Sequence, residues 1–104
     1  MIVCSDSRTV TSDTQSESFP ALTPTINFAV RTTAITAGAL DITVQWSVDG
    51  QTWAAFSTPD AFSQITTTGM VFLASVPARA PFFRLDYNVT TGPATIKLVG
   101  VGFN

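Results

Sequence analysis

The chain is predicted to be all-β, an antiparallel β-sandwich or jelly roll of about seven or eight short strands, on three observations. Apolar and polar residues alternate at period two through Ile26–Arg31, Ile42–Val48 and Phe83–Val89, which puts one side of each run on a core and the other in water. Pro, Gly, Asn and Asp punctuate the chain between these runs at regular spacing. No stretch keeps a helical period without being cut by Pro or Gly, and there are no internal repeats.

Taken in order, residues 1–18 are rich in Ser, Thr and Asp, and after Val3 their early part carries little apolar material beyond Val10. Such a segment buries too little to offset the cost of ordering it alone. It is expected to be a polar N-terminal arm, ordered on a neighbour, or else a short strand around Arg8 to Thr14. Residues 19–104 are expected to form the single sandwich domain. Phe19-Pro20 and Thr23-Pro24 favour extended or turn backbone and mark a crossing segment. A strand follows over Thr25 to Ile35, and residues 37–39 turn it.

Asp49-Gly50, flanked by alternating runs, is the strongest hairpin signal in the chain. Two registers are open. A two-residue turn sets Trp46 opposite Trp53 on one face and is preferred because it buries both indoles together. A three-residue loop with Gly50 in the left-handed conformation shifts the second strand by one residue, moving Trp53 to the Thr43–Gln45 face and Phe56 to the Ile42 face. Ser57 to Asp60 reads as a turn and Phe62 to Thr66 as a short strand. Met70 to Val76 is apolar on both faces, the mark of a central or doubly covered strand. Phe82 to Thr90 and Ala94 to Phe103 are the last two strands, separated by Thr91-Gly92-Pro93.

The bulk properties narrow the function. A chain of 104 residues is one domain with room for a core that needs no disulfide. Only 12% of residues are charged against 45% hydrophobic, and the net charge is −2, a surface that calls for abundant hydroxyls or a covering partner. Arg8, Arg31, Arg79, Arg84 and Lys97 are dispersed, which argues against nucleic acid. No apolar run is long enough for a membrane span, and the N-terminal residues lack the apolar core of a secretory signal, so synthesis in the cytosol without export by the standard route is expected.

Histidine is absent, which removes the commonest general base and metal ligand and with them the Ser/His/Asp and Cys/His nucleophile systems. Cys4 is the single cysteine, so no internal disulfide or cysteine metal cluster is possible. The carboxylates Asp6, Asp13, Glu17, Asp41, Asp49, Asp60 and Asp86 read as turn formers and surface charges, with Asp86 beside Arg84. There is no calcium loop and no glycine-rich phosphate loop, and Asn88-Val89-Thr90 lies in mid-strand. No catalytic residue, cofactor or metal is therefore assigned, and the chain is not expected to be an enzyme.

Two resemblances add to this. The run ITVQWSVDGQTW, followed by Phe82-Phe83-Arg84-Leu85 and by Ile96 to Gly100, is similar to the core of discoidin-like (factor 5/8 C-type) sandwiches, with a Ser-x-Asp-Gly-x-x-Trp strand end and a later aromatic-x-Arg-Leu strand. In size, low charge, polar arm and want of catalytic residues, the whole chain resembles the capsid decoration (cement) proteins of tailed bacteriophages. That resemblance implies a virion protein at the capsid surface, bound to the major capsid protein, and a homo-oligomer, with a trimer favoured. The arm would carry the partner contacts, through Ser5, Arg8, Thr9, Val10 and Thr11, with Phe19 directly after it. The alternatives are a glycan-binding module using Trp53 with Asp49, Gln51 and Asp60, and an accessory tail or neck protein.

Overall fold

A computed structural model describes residues 1–36 and 38–103, which form nine strands and no helix. In chain order these are β1 (Ile2–Val10), β2 (Thr14–Gln15), β3 (Phe19–Pro20), β4 (Thr25–Ile35), β5 (Leu40–Ser47), β6 (Ala54–Ala55), β7 (Gly69–Pro77), β8 (Phe82–Val89) and β9 (Ala94–Phe103). They make two antiparallel sheets. One has the order β1-β9-β4-β7; the other has the order β2-β8-β5-β6, with β3 also paired to β8. Leaving out the two-residue β3, the chain crosses between sheets after β1, β2, β4, β6, β7 and β8, the wrapped path of a jelly roll. The expected fold class is the observed one.

The alternation in the sequence produces the core directly. On β4, Ile26, Phe28 and Val30 point inward; on β5, Leu40, Ile42, Val44 and Trp46; on β8, Phe83, Leu85 and Tyr87; on β9, Ile96 and Leu98. Each such side chain contributes about 1.5–3 kcal/mol by leaving water. Phe83 sits at the middle of an aromatic group, 5.6 Å from the rings of both Phe19 and Phe28 and 5.8 Å from Trp46.

Residues 2–10 do not hang free. β1 pairs with β9 along its whole length, from Ile2↔Val101 to Val10↔Ala94. A bulge after Ile2 turns both Val3 and Cys4 inward, and Val10 is buried at the other end. The expectation of an arm weighed the apolar content of the whole segment, whereas an edge strand needs apolar residues only at its inward positions. Residues 11–18 are also tied in: Thr14 and Gln15 pair with Tyr87 and Asp86, and the Ser16 hydroxyl accepts from the Leu85 N–H at 2.9 Å.

Three further expectations are corrected. Trp46 pairs with Ala54 and Gln45 with Ala55, so the hairpin takes the shifted register and not the preferred one that set Trp46 against Trp53. The cause is local: Ser47 Oγ accepts from the N–H groups of Asp49 and Gly50, Asp49 Oδ1 accepts from those of Gln51 and Thr52, and Gly50 has φ +77°. These bonds hold a loop wider than two residues. Residues 62–66 do not form a strand but make two isolated bridges around that segment, Ala61↔Thr43 and Ile65↔Leu40. β7, read as central or doubly covered, is one of the two edges of its sheet, paired only with β4. The turn expected at 37–39 includes Ala37, which lies outside the described residues.

β9 runs between β1 and β4 at close quarters. A Cβ on Gly100 would lie 2.6 Å from Cys4 Sγ and 3.1 Å from the Phe28 ring, and one on Gly102 would strike the Thr23 side chain. Gly100→Ala is expected to cost about 1–3 kcal/mol, the range for overpacking a filled core, read as a fall in the urea unfolding midpoint. An unchanged midpoint would show that β1 moves aside without penalty.

Candidate functional site

The residues expected to contact a partner through an arm are dispersed by the strand. Val10 and Phe19 are core residues, buried among the sheets. Arg8 turns inward and meets Asp6, with Nε 2.9 Å from Oδ2 and Nη2 3.2 Å from Oδ1, while its guanidinium lies 5.3 Å from the centre of the Tyr87 ring. Ser5, Thr9 and Thr11 are exposed; of these, Ser5 and Thr9 stand on the outer face of the four-stranded sheet, opposite Val99 and Thr95. Arg8, Val10 and Phe19 are thus structural, and the arm site is not assembled.

The four glycan candidates are not gathered into a site either. The Asp49 carboxylate is occupied by its own loop, taking the N–H groups of Gln51 and Thr52, each at 2.8 Å, and the Ser47 hydroxyl at 2.9 Å. Those backbone donors, led by Thr52, hold its pKa well below the usual carboxylate range. Gln51 is exposed and unengaged by side chain among the described residues. Asp60 is held by Arg79 at 2.7 and 3.0 Å and accepts from Trp46 Nε1 at 3.3 Å, an indole pointing to the core. Trp53 lies on the opposite side of that sheet, half-buried under the Arg84 guanidinium at 4.7 Å. Arg84 is itself turned to Gln45 at 2.8 Å, and Asp86, expected beside Arg84, bonds Gln15 and Asn88 instead.

The buried titratable groups serve the fold. Tyr87 donates to Asp6 Oδ2 at 2.6 Å, linking β1 at the edge of one sheet to β8 inside the other. Burial, then this carboxylate, raises the Tyr87 phenol beyond its ordinary range. Burial also pushes the Cys4 thiol up from 9.0 to about 12. Among the described residues no group of His, Cys, Asp and Glu is placed to hold a metal ion, and no helix is long and apolar enough to cross a membrane.

What the structure does assemble is a surface that the sequence did not reveal as one. On the outer face of the four-stranded sheet, Phe72, Ala29 and Val99 stand in register across β7, β4 and β9. Val101 and Phe103 extend this band along β9, and Ile2 joins it from β1. Phe72 and Ile2 are each 68% exposed, Phe103 49% and Met70 48%. Small residues at the centre and large ones at the margins leave two shallow grooves. One, of about 260 Å³, runs between Phe72 and Phe103 over Ala29, Val99 and Val101; the other, of about 220 Å³, lies beside Met70, Arg31 and Lys97. Arg31 and Lys97 are a cross-strand pair on this face. Neither forms an ion pair among the described residues, and none of the seven acidic residues lies on β4, β7 or β9. The face is apolar, cationic and uncovered. Single exposed apolar residues are ordinary on a protein surface; a contiguous band of them is not. No family model matches the chain, and no curated protein or solved structure matches it.

Two outcomes follow from the titratable groups. In native buffer at pH 8 the Cys4 thiol should react with a disulfide reagent at least tenfold slower than in urea, since burial suppresses both thiolate and access; fast native labelling would mean that β1 opens readily. For Asp49, whose folded pKa is lowered, the stabilisation is present above the unfolded value near 3.9 and is lost as pH falls from there. The urea midpoint of Asp49→Asn should therefore differ from that of the parent at pH 6 and converge toward it by about pH 2.

Proposed function

We propose that the chain is a non-catalytic structural subunit of a virion, a phage capsid decoration protein that lays the outer face of its four-stranded sheet on the major capsid protein. The observation that carries this reading is the uncovered apolar band from Phe72 to Val99 and Phe103, bordered by Arg31 and Lys97, which form no ion pair among the described residues. Burying such a band releases water from apolar surface, at about 25 cal/mol per Å², and the two cations select a partner surface that offers carboxylates. The binding role expected of the arm passes to this face, with Ser5 and Thr9 at its β1 margin.

Two general considerations support it. Jelly rolls recur in capsid and lectin domains, an analogy of fold alone. A protein that binds only the assembled shell stabilises it by mass action, which requires no reactive group on the protein. The lectin reading is the weaker one here, because Asp49, Asp60 and Arg84 are already engaged with their own neighbours. The same face would serve an accessory tail or neck protein, with a different virion component as its partner.

The test is co-sedimentation of the purified chain with empty capsids of the cognate major capsid protein. Saturable binding is expected, weakened at least tenfold in the Arg31→Glu/Lys97→Glu double variant and reduced by raising salt. Absence of binding to capsids, with a folded protein, would sink the decoration reading.

A further inference from the structure

β7 is a strand whose sequence asks for neighbours on both sides and whose fold gives it one. From Gly69 to Leu73 it pairs regularly with β4, Thr32↔Gly69 through Phe28↔Leu73, and its other edge is free. Met70 and Phe72 are exposed on the outer side, while Val71 and Leu73 on the inner side are only half-buried against the core. The strand carries no charge and no proline before Pro77. Sheet edges are normally blunted by charge, proline, a bulge or shortness. The other margins have such devices: β1 carries Asp6 and Arg8, and β2 and β6 are two residues long. On β7 the blunting is confined to one end, where Ser75 adopts φ +58° in a bulge and its N–H is taken by Asn27 Oδ1.

We propose that the Gly69–Leu73 edge of β7 pairs antiparallel with the same edge of a second copy of this chain, joining two four-stranded sheets into one eight-stranded sheet across a two-fold axis. A strand added here must be apolar on both faces, to cover Met70 and Phe72 outside and Val71 and Leu73 inside. It must also be uncharged and at least five residues long. Among the described residues the one free edge that meets these demands is β7 itself, so the contact is self-complementary and closes at two. Charge selects this geometry over stacking the outer faces. Face to face about a central two-fold axis, Arg31 and Lys97 would meet their own copies. Edge to edge, the two Arg31 residues stand three strand spacings apart, about 14 Å, beyond the screening length at physiological salt. The pairing leaves the outer face open and doubles its area, and it does not depend on what that face binds.

The experiment is light scattering after size exclusion on the chain alone, with hydrogen exchange on the same samples. The expected mass is twice the subunit's 11.0 kDa, with the amides of residues 69–73 gaining at least tenfold protection as concentration rises through the transition. Phe72→Lys, at a position 68% exposed and so compatible with folding, should give a monomer. Arg31→Glu/Lys97→Glu should remain dimeric while losing capsid binding, which separates this contact from the decoration reading. A subunit mass at several hundred micromolar, a trimer, or a dimer that protects no residue of 69–73 would each overturn it. Should Phe72→Lys fail to fold, the exchange pattern of the parent protein decides.

Discussion

The position of β9 between β1 and β4 is the constraint on which the rest of the molecule depends. Every pairing in that sheet joins segments far apart in the chain, and the first strand has no hydrogen-bonded neighbour until the last one is in place. Loop-closure entropy must be overcome before these contacts return anything, which makes such a topology slow to fold. The close approach is permitted by Gly100 and Gly102, whose missing side chains leave room for Cys4, Phe28 and Thr23. The second sheet is then drawn onto this one through the Phe28–Phe83 contact and the Tyr87–Asp6 bond.

The strands that carry a core on one side only were legible in the sequence. β4 and β8 fall close to their expected bounds because strict alternation fixes both the conformation and the buried face. The hairpin register was not legible, since Asp-Gly favours a two-residue turn in isolation while the side chains of Ser47 and Asp49 hold a wider one. That single residue of shift sends Trp53 away from Trp46 and under Arg84. The paired segment at residues 2–10 was obscured for a related reason. Its inward positions include Asp6 and Arg8, which close on each other and on Tyr87, so a strand with a polar interior looks like an unfoldable tail.

The exposed apolar band was the least legible part. Met70, Phe72, Val99, Val101 and Phe103 are apolar residues in apolar strands, and periodicity does not say which side of a sheet lacks a covering layer. A trace was present: β7 is apolar on both faces, and on β9 the large residues Val99, Val101 and Phe103 alternate with Gly100 and Gly102, the reverse of a strand whose bulk faces inward. Only the sheet order shows that the small residues face the core and the large ones face solvent. Asp49 and Asp60, named from the loop as site candidates, are engaged within the fold, because residues suited to binding a ligand are equally suited to holding a turn or an arginine.

The antiparallel pairing of the first and last strands also sets how the domain bears load. The Met1 carbonyl accepts from the Gly102 N–H at 2.7 Å, so both ends of the described chain leave from the same corner. Tension applied through those ends pulls β1 and β9 apart across the ladder and breaks its hydrogen bonds one after another. Ladders pulled along the strand axis break all bonds together and resist far more. This fold therefore yields readily when stretched by its ends, whatever its stability in solution.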